Sequence, residues 1–115
     1  MSPALEQQLF DKYPGMFKLT WGFECDDGWY NLLDELCLKI KESNPIVVQV
    51  KEKFGNLRFY TEAVEEQVNL LINEAEELSS TICEITGKPG ALCQKGGWYK
   101  TLCEDSATIL GYKKQ

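Results

Sequence analysis

Apolar residues recur along this chain with two periods, and each period predicts a different backbone. Near the start, Ser2-Pro3 has the form of a helix N-cap followed by proline in the first turn. Leu5, Leu9 and Phe10 then share one side of a short helix that Tyr13-Pro14-Gly15 ends. Residues 16–24, MFKLTWGFE, carry aromatics without helical spacing and predict no regular element. After Asp26-Asp27-Gly28, the positions Trp29, Leu32, Leu33, Leu36, Cys37 and Ile40 fall on one face at about 100° per residue. They predict a helix running to Glu42, with Asp26 or Asp27 as N-cap and Leu38 on the polar face. Ser43-Asn44-Pro45 closes it, and the period drops to two as Ile46, Val48 and Val50 alternate with Val47, Gln49 and Lys51. With the turn signal Gly55-Asn56 and the β-rich run LRFYT, this predicts a hairpin from Ile46 to Thr61. From Glu62 to Cys83 the helical period returns. Val64, Val68, Leu71, Ile72, Ala75, Leu78 and Ile82 lie within about 120° of arc and predict the core face of a long amphipathic helix.

The last third reads as a cysteine and glycine knuckle, TICEITGKPG, then a short hairpin turning at Gly96-Gly97, then a helix opening near Cys103. The predicted fold class is therefore α+β: two N-terminal helices, a β-hairpin, a long amphipathic helix and a zinc-finger-like hairpin and helix. At 115 residues the chain makes one domain, with residues 1–82 as its core and 83–112 as a finger-like subdomain packed on it. Trp21, Phe23, Trp29, Phe59 and Trp98 are the expected aromatic core members, with Leu102 beside Trp98 in the finger.

Charge narrows the choice of partner. Twelve basic against eighteen acidic residues give a net charge of −6, which repels a phosphate backbone and argues against direct nucleic-acid binding unless the cations share one face. The N-terminal run lacks the charged and apolar regions of a signal peptide, no apolar run is long enough to span a bilayer, and the expected location is the cytoplasm. Five cysteines in such a chain are expected as reduced thiols, although Cys83 and Cys103 are close enough in the pattern for a disulfide to be conceivable. There is no histidine, which removes the usual general base and the commonest metal ligand together. Adjacent carboxylates such as Glu65-Glu66 or Glu76-Glu77 diverge by about 100° on a helix and do not converge on a substrate, so no enzyme is expected.

In a treble-clef zinc finger, two ligands sit on a C-x2-C knuckle and two in the first turn of the helix after the hairpin. Here Cys83 and Thr86 occupy the knuckle positions, and Cys103 and Ser106 the helix positions. Neutral hydroxyls do not supply the donors that structural zinc selects, so no cofactor is expected. A retained site would have to be rebuilt from Cys83, Cys93 and Cys103, with Glu84, Glu104 or Asp105 as a fourth ligand.

The blocks CDDGWYNLLDEL, PIVVQVKEKFGNLRFY, TICEITGKPG and GGWYKTLCEDS, spread over residues 21–107, resemble in order a group of small proteins encoded in bacteriophage and prophage genomes. Those proteins carry a C-x2-C-G knuckle and a later GGW-x2-TLC-x2-H. Cys83, Gly87, Gly97, Trp98 and Cys103 match that pattern, and Thr86 and Ser106 depart from it. The resemblance implies no known activity. With the acidity, small size and absent catalytic motifs, it sets the expectation of an accessory protein that binds a host protein or protein–nucleic-acid complex, inhibiting a defence or nucleic-acid-processing assembly.

Two surfaces are candidates for that contact. One is the polar face of the long helix, Glu62, Glu66, Asn69, Asn73, Glu76 and Glu77; the other is the basic hairpin tip, Lys51, Lys53, Phe54 and Arg58. The plain alternative for both is a solvated surface. A different function, nucleic-acid binding through Lys51, Lys53, Arg58, Lys88, Lys95 and Lys100, requires those sparse cations to converge.

Overall fold

A computed structural model describes residues 1–115. Helix α1 (Pro3–Lys12) starts where the Ser2-Pro3 pair predicts, with proline in its first turn and Ser2 in extended backbone before it, but the Ser2 side chain makes no capping hydrogen bond. Phe10 then meets Phe17 and Phe23 in a mutual aromatic cluster with ring centres 5.1–5.8 Å apart. The segment without periodicity contains one short strand, β1 (Phe23–Glu24), paired in parallel with β2 (Val47–Lys53). Two residues are too few for a period to register in the sequence.

A 3₁₀ turn (Asp27–Trp29) leads into α2 (Tyr30–Ile40), which a second such turn (Lys41–Ser43) extends before Asn44 turns left-handed. Neither aspartate caps α2 with its side chain. Asp27 instead accepts the Ser2 N–H at 2.7 Å, and Asp26 faces Lys100 at 3.8 Å. What fixes this junction is Gly28. A Cβ there would lie 2.2 Å from the carbonyl oxygen of Cys83 and 2.4 Å from that of Glu84, a collision no side chain tolerates. The close approach lets the Gly28 N–H donate to the Glu84 carbonyl at 2.7 Å, while the fully buried Trp29 donates its indole N–H to the Ile82 carbonyl at 2.9 Å.

Strands β2 and β3 (Asn56–Thr61) form the predicted hairpin, with sheet order β1-β2-β3. Strict alternation fails at its start. A bulge between Val47 and Gln49 turns Val47 and Val50 inward and leaves Val48 exposed. The connection is the two-residue pair Phe54-Gly55, at φ +53° and +84°, one position earlier than the Gly-Asn signal.

Helix α3 (Glu66–Ser79) starts four residues later than its periodicity predicts. The Glu62 N–H donates to the Ile46 carbonyl at 2.9 Å and so prolongs the sheet ladder, and Glu65 is still extended. Val68, Ile72 and Ala75 face the core as predicted. Ser79 takes the next inward place, donating to the Glu76 carbonyl and accepting the Leu57 N–H at 2.9 Å, so Leu78 turns outward. The main core joins α1, α2, the β1-β2-β3 sheet and α3.

After α3 come β4 (Ala91–Lys95), β5 (Trp98–Leu102), α4 (Glu104–Leu110) and β6 (Lys113–Lys114), with sheet order β5-β4-β6. Cys83, Cys93, Leu102, Cys103 and Ala107 make a second, smaller apolar cluster. Trp98 is not part of it: at 74% exposed it projects beside the Gly96-Gly97 turn, and Trp21, 77% exposed in the bend before Gly22, is likewise outside the core. The architecture is α+β with four helices and two small sheets, and no helix is long and apolar enough to cross a membrane.

Candidate functional site

The two sheets meet along a polar seam. Glu84, at 1% exposed, follows Cys83 in the knuckle, and its N–H donates to the Thr101 carbonyl at 2.9 Å. Its carboxylate accepts the Asp26 N–H at 3.0 Å and the Lys100 ammonium at 3.1 Å. Lys100 also lies 3.8 Å from both Glu52 and Asp26, so one cation serves three carboxylates. Burial raises the Glu84 carboxyl above its ordinary range despite that ammonium. Burial also works against charge on Lys100, yet Glu84 and then Glu52 and Asp26 hold its pKa above the usual lysine value. Thr101, fully buried, donates to the Gly55 carbonyl at 2.7 Å and pins the β2–β3 tip onto β5.

Beside the seam, four side chains from two elements converge. The knuckle supplies Cys83 and Thr86, and the first turn of α4 supplies Cys103, its N-cap position, and Ser106. Ser106 Oγ lies 3.6 Å from Cys83 Sγ and 3.3 Å from Cys103 Sγ, while Thr86 Oγ1 lies 3.6 Å from Cys103 Sγ. Burial pushes the Cys83 thiol up. Hydrogen bonds from Thr86, from the backbone of Cys103 and Thr86 and from Ser106 outweigh it and bring the thiol down to about 6. Cys25 and Cys37 show the opposite: buried in the main core, they are pushed up to about 12.

Two thiols and two neutral hydroxyls do not make the donor set of a structural zinc, because the hydroxyls bring neither thiolate nor imidazole. Cys93 does not complete the set. Its sulfur points to the Ala91 carbonyl at 3.4 Å, and no three Cys, Asp or Glu side chains stand together as a metal-holding group.

The helix-face residues separate into three groups. Glu66, Asn69, Asn73 and Glu77 form an exposed stripe along α3, joined by exposed Leu70. Glu62 lies before the helix, in the turn after β3. Glu76 is committed to the fold, since its carboxylate accepts the Phe59 N–H at 2.9 Å. At the hairpin, Lys51 and Arg58 are direct cross-strand partners, and Lys53 sits 5.8 Å from the centre of the exposed Phe54 ring. Sequence reasoning missed the seam, because Glu84, Lys100, Glu52 and Asp26 are scattered in the chain and share no spacing.

No protein-family model matches this chain, and neither a curated protein nor a solved structure matches it significantly.

Proposed function

We propose that this chain is a small accessory protein of phage or prophage origin that works in the host cytoplasm by binding a host macromolecular partner, inhibiting a defence or nucleic-acid-processing complex. The observation that carries this reading is the outer stripe of α3. Glu66, Asn69, Asn73 and Glu77 make no side-chain hydrogen bond or ion pair within the molecule, and residues 62–77 contain six carboxylates and no cation. Such a face complements a basic surface of the kind that handles nucleic acid. The proposal includes no catalytic step and no cofactor. In the same reading, residues 83–112 are a treble-clef module in which the Cys83, Thr86, Cys103 and Ser106 cluster replaces the metal. The order of knuckle, hairpin and helix, and the convergence of those four side chains, support it.

The test is affinity capture from host lysate with the purified chain, with Glu66→Lys/Glu77→Lys and a control reversal, Glu42→Lys. The wild type and the control should retain the same partner, and the α3 double reversal should lose it while keeping stability within about 0.5 kcal/mol. Retention of that partner by the α3 variant would overturn the reading.

A further inference from the structure

Opposite in character to the acidic helix is a groove between the two hairpin tips. Phe54 and Glu52 to Lys53 line one wall, and Gly96, Gly97, Trp98 and Lys100 the other, with Tyr112 beside them, around a volume of about 510 Å³. Both tips are two-residue turns with positive φ at each central position, Phe54-Gly55 and Gly96-Gly97. At the second, glycine is what this turn favours. At the first, a phenylalanine occupies a left-handed position that asparagine or glycine fills with less strain.

That strain is not offset by burial. The Phe54 ring is 64% exposed and Trp98 still more so, which leaves two large rings where neither contributes its area to the core. The groove is also preformed. Glu52 accepts the Gly55 N–H at 2.8 Å and faces Lys100, Thr101 holds the Gly55 carbonyl, and a Cβ at Gly55 would stand 2.8 Å from Leu92. A strained, exposed aromatic on a rigid support is a device for contact rather than for folding.

Charge selects the occupant. Residues 85–103 contain Lys88, Lys95 and Lys100 and no carboxylate. Lys53 stands by Phe54, and Lys95 lies 6.0 Å from the centre of the Tyr112 ring. Leading away from the groove, the outer face of the β2–β3 hairpin carries Lys51, Arg58 and Tyr60, with Glu24 as the one facing carboxylate in register. Residues 62–77 hold six of the chain's eighteen carboxylates and no cation, whereas here Lys53, Lys51 and Lys95 stand over the rings of Phe54, Tyr60 and Tyr112, and Lys100 is paired with Glu84. Planar rings interleaved with cations match a ligand that is itself planar and anionic in alternation.

The geometry points to the Phe54–Trp98 groove as a binding site for single-stranded nucleic acid, with bases stacked on Phe54 and Trp98 and phosphates on Lys53, Lys95, Lys51 and Arg58. This goes beyond the acidic-face reading and does not depend on it.

Fluorescence anisotropy of labelled 15-residue oligo-dT and oligo-U tests it, alongside a duplex of equal length and a labelled poly-Glu peptide. Single strands should bind, with affinity falling as salt rises, and should bind more tightly than duplex or peptide. Trp98→Ala and Phe54→Asn should each weaken binding about tenfold. Phe54→Asn should at the same time raise the melting temperature, since it relieves the left-handed strain, so its loss of binding is not a loss of fold. Absence of single-strand binding at low salt, equal or better binding of poly-Glu, or unchanged affinity in both variants would overturn the proposal.

Discussion

At Cys83 a single atom gathers opposing influences. Its sulfur is fully buried, which alone would disfavour the thiolate, yet surrounding hydroxyls and N–H groups bring the thiol to about 6 from an ordinary 9.0. A group that loses its proton more readily in the folded than in the unfolded chain stabilises the fold in its charged form. That contribution is complete above the unfolded value and is lost as pH falls through the folded one. Stability should therefore rise between about pH 6 and pH 9, and Cys83→Ser should remove that rise. Urea midpoints of both proteins across this interval check it; parallel pH curves would show that Cys83 is a neutral thiol throughout.

Each half of the thiol–hydroxyl cluster comes from a different element, the knuckle and the first turn of α4, and each contributes one cysteine and one hydroxyl. If the four positions surround one centre, replacing only the two hydroxyls with thiols should create a metal site. Thr86→Cys/Ser106→Cys should take up about one Zn²⁺ per chain and melt at higher temperature with the metal than without it, whereas the wild type should not respond. Elemental analysis and calorimetry decide; a variant that stays metal-free would mean that the four positions are not arranged around a common centre. This cluster was legible in the sequence because Cys83-x2-Thr86 and Cys103-x2-Ser106 repeat one spacing. The helices and the hairpin were legible for a similar reason, since Leu32 to Ile40 and Val68 to Ala75 repeat every three or four residues. What did not show was set by contacts distant in sequence. The start of α3 yields to the Ile46–Glu62 ladder bond, and Trp98 stays outside because a glycine turn, not a core, determines where it projects. Strands of two residues, β1 and β6, exist only because β2 and β4 offer them an edge.

Over the whole molecule, the two sheets have separate apolar clusters but share polar bonds across their seam. Thr101 to Gly55 and Lys100 to Glu52 tie the two hairpins, and Gly28 to Glu84 ties the entry of α2 to the knuckle. They should unfold together. Thr101→Val, which leaves the Gly55 carbonyl without its partner, should cost about 1–2 kcal/mol and shift one common transition. Far-UV circular dichroism and tryptophan fluorescence followed through the same urea titration should coincide for both proteins; an early phase seen by one probe alone would mean that the sheets are independent.

The contact of Gly28 and Trp29 with residues 82–84 spans more than fifty positions of chain, since the indole bond alone joins residues 53 apart. On a ribosome the N-terminal helices emerge long before the segment that seals them. Trp29 must therefore wait, its N–H satisfied by water, until the knuckle follows it out. A nascent chain stopped before Ile82 already holds every residue of the main core, Leu9 to Ala75, yet lacks the carbonyls that receive the Trp29 indole and the Gly28 N–H, so that end of the core closes only when the knuckle arrives.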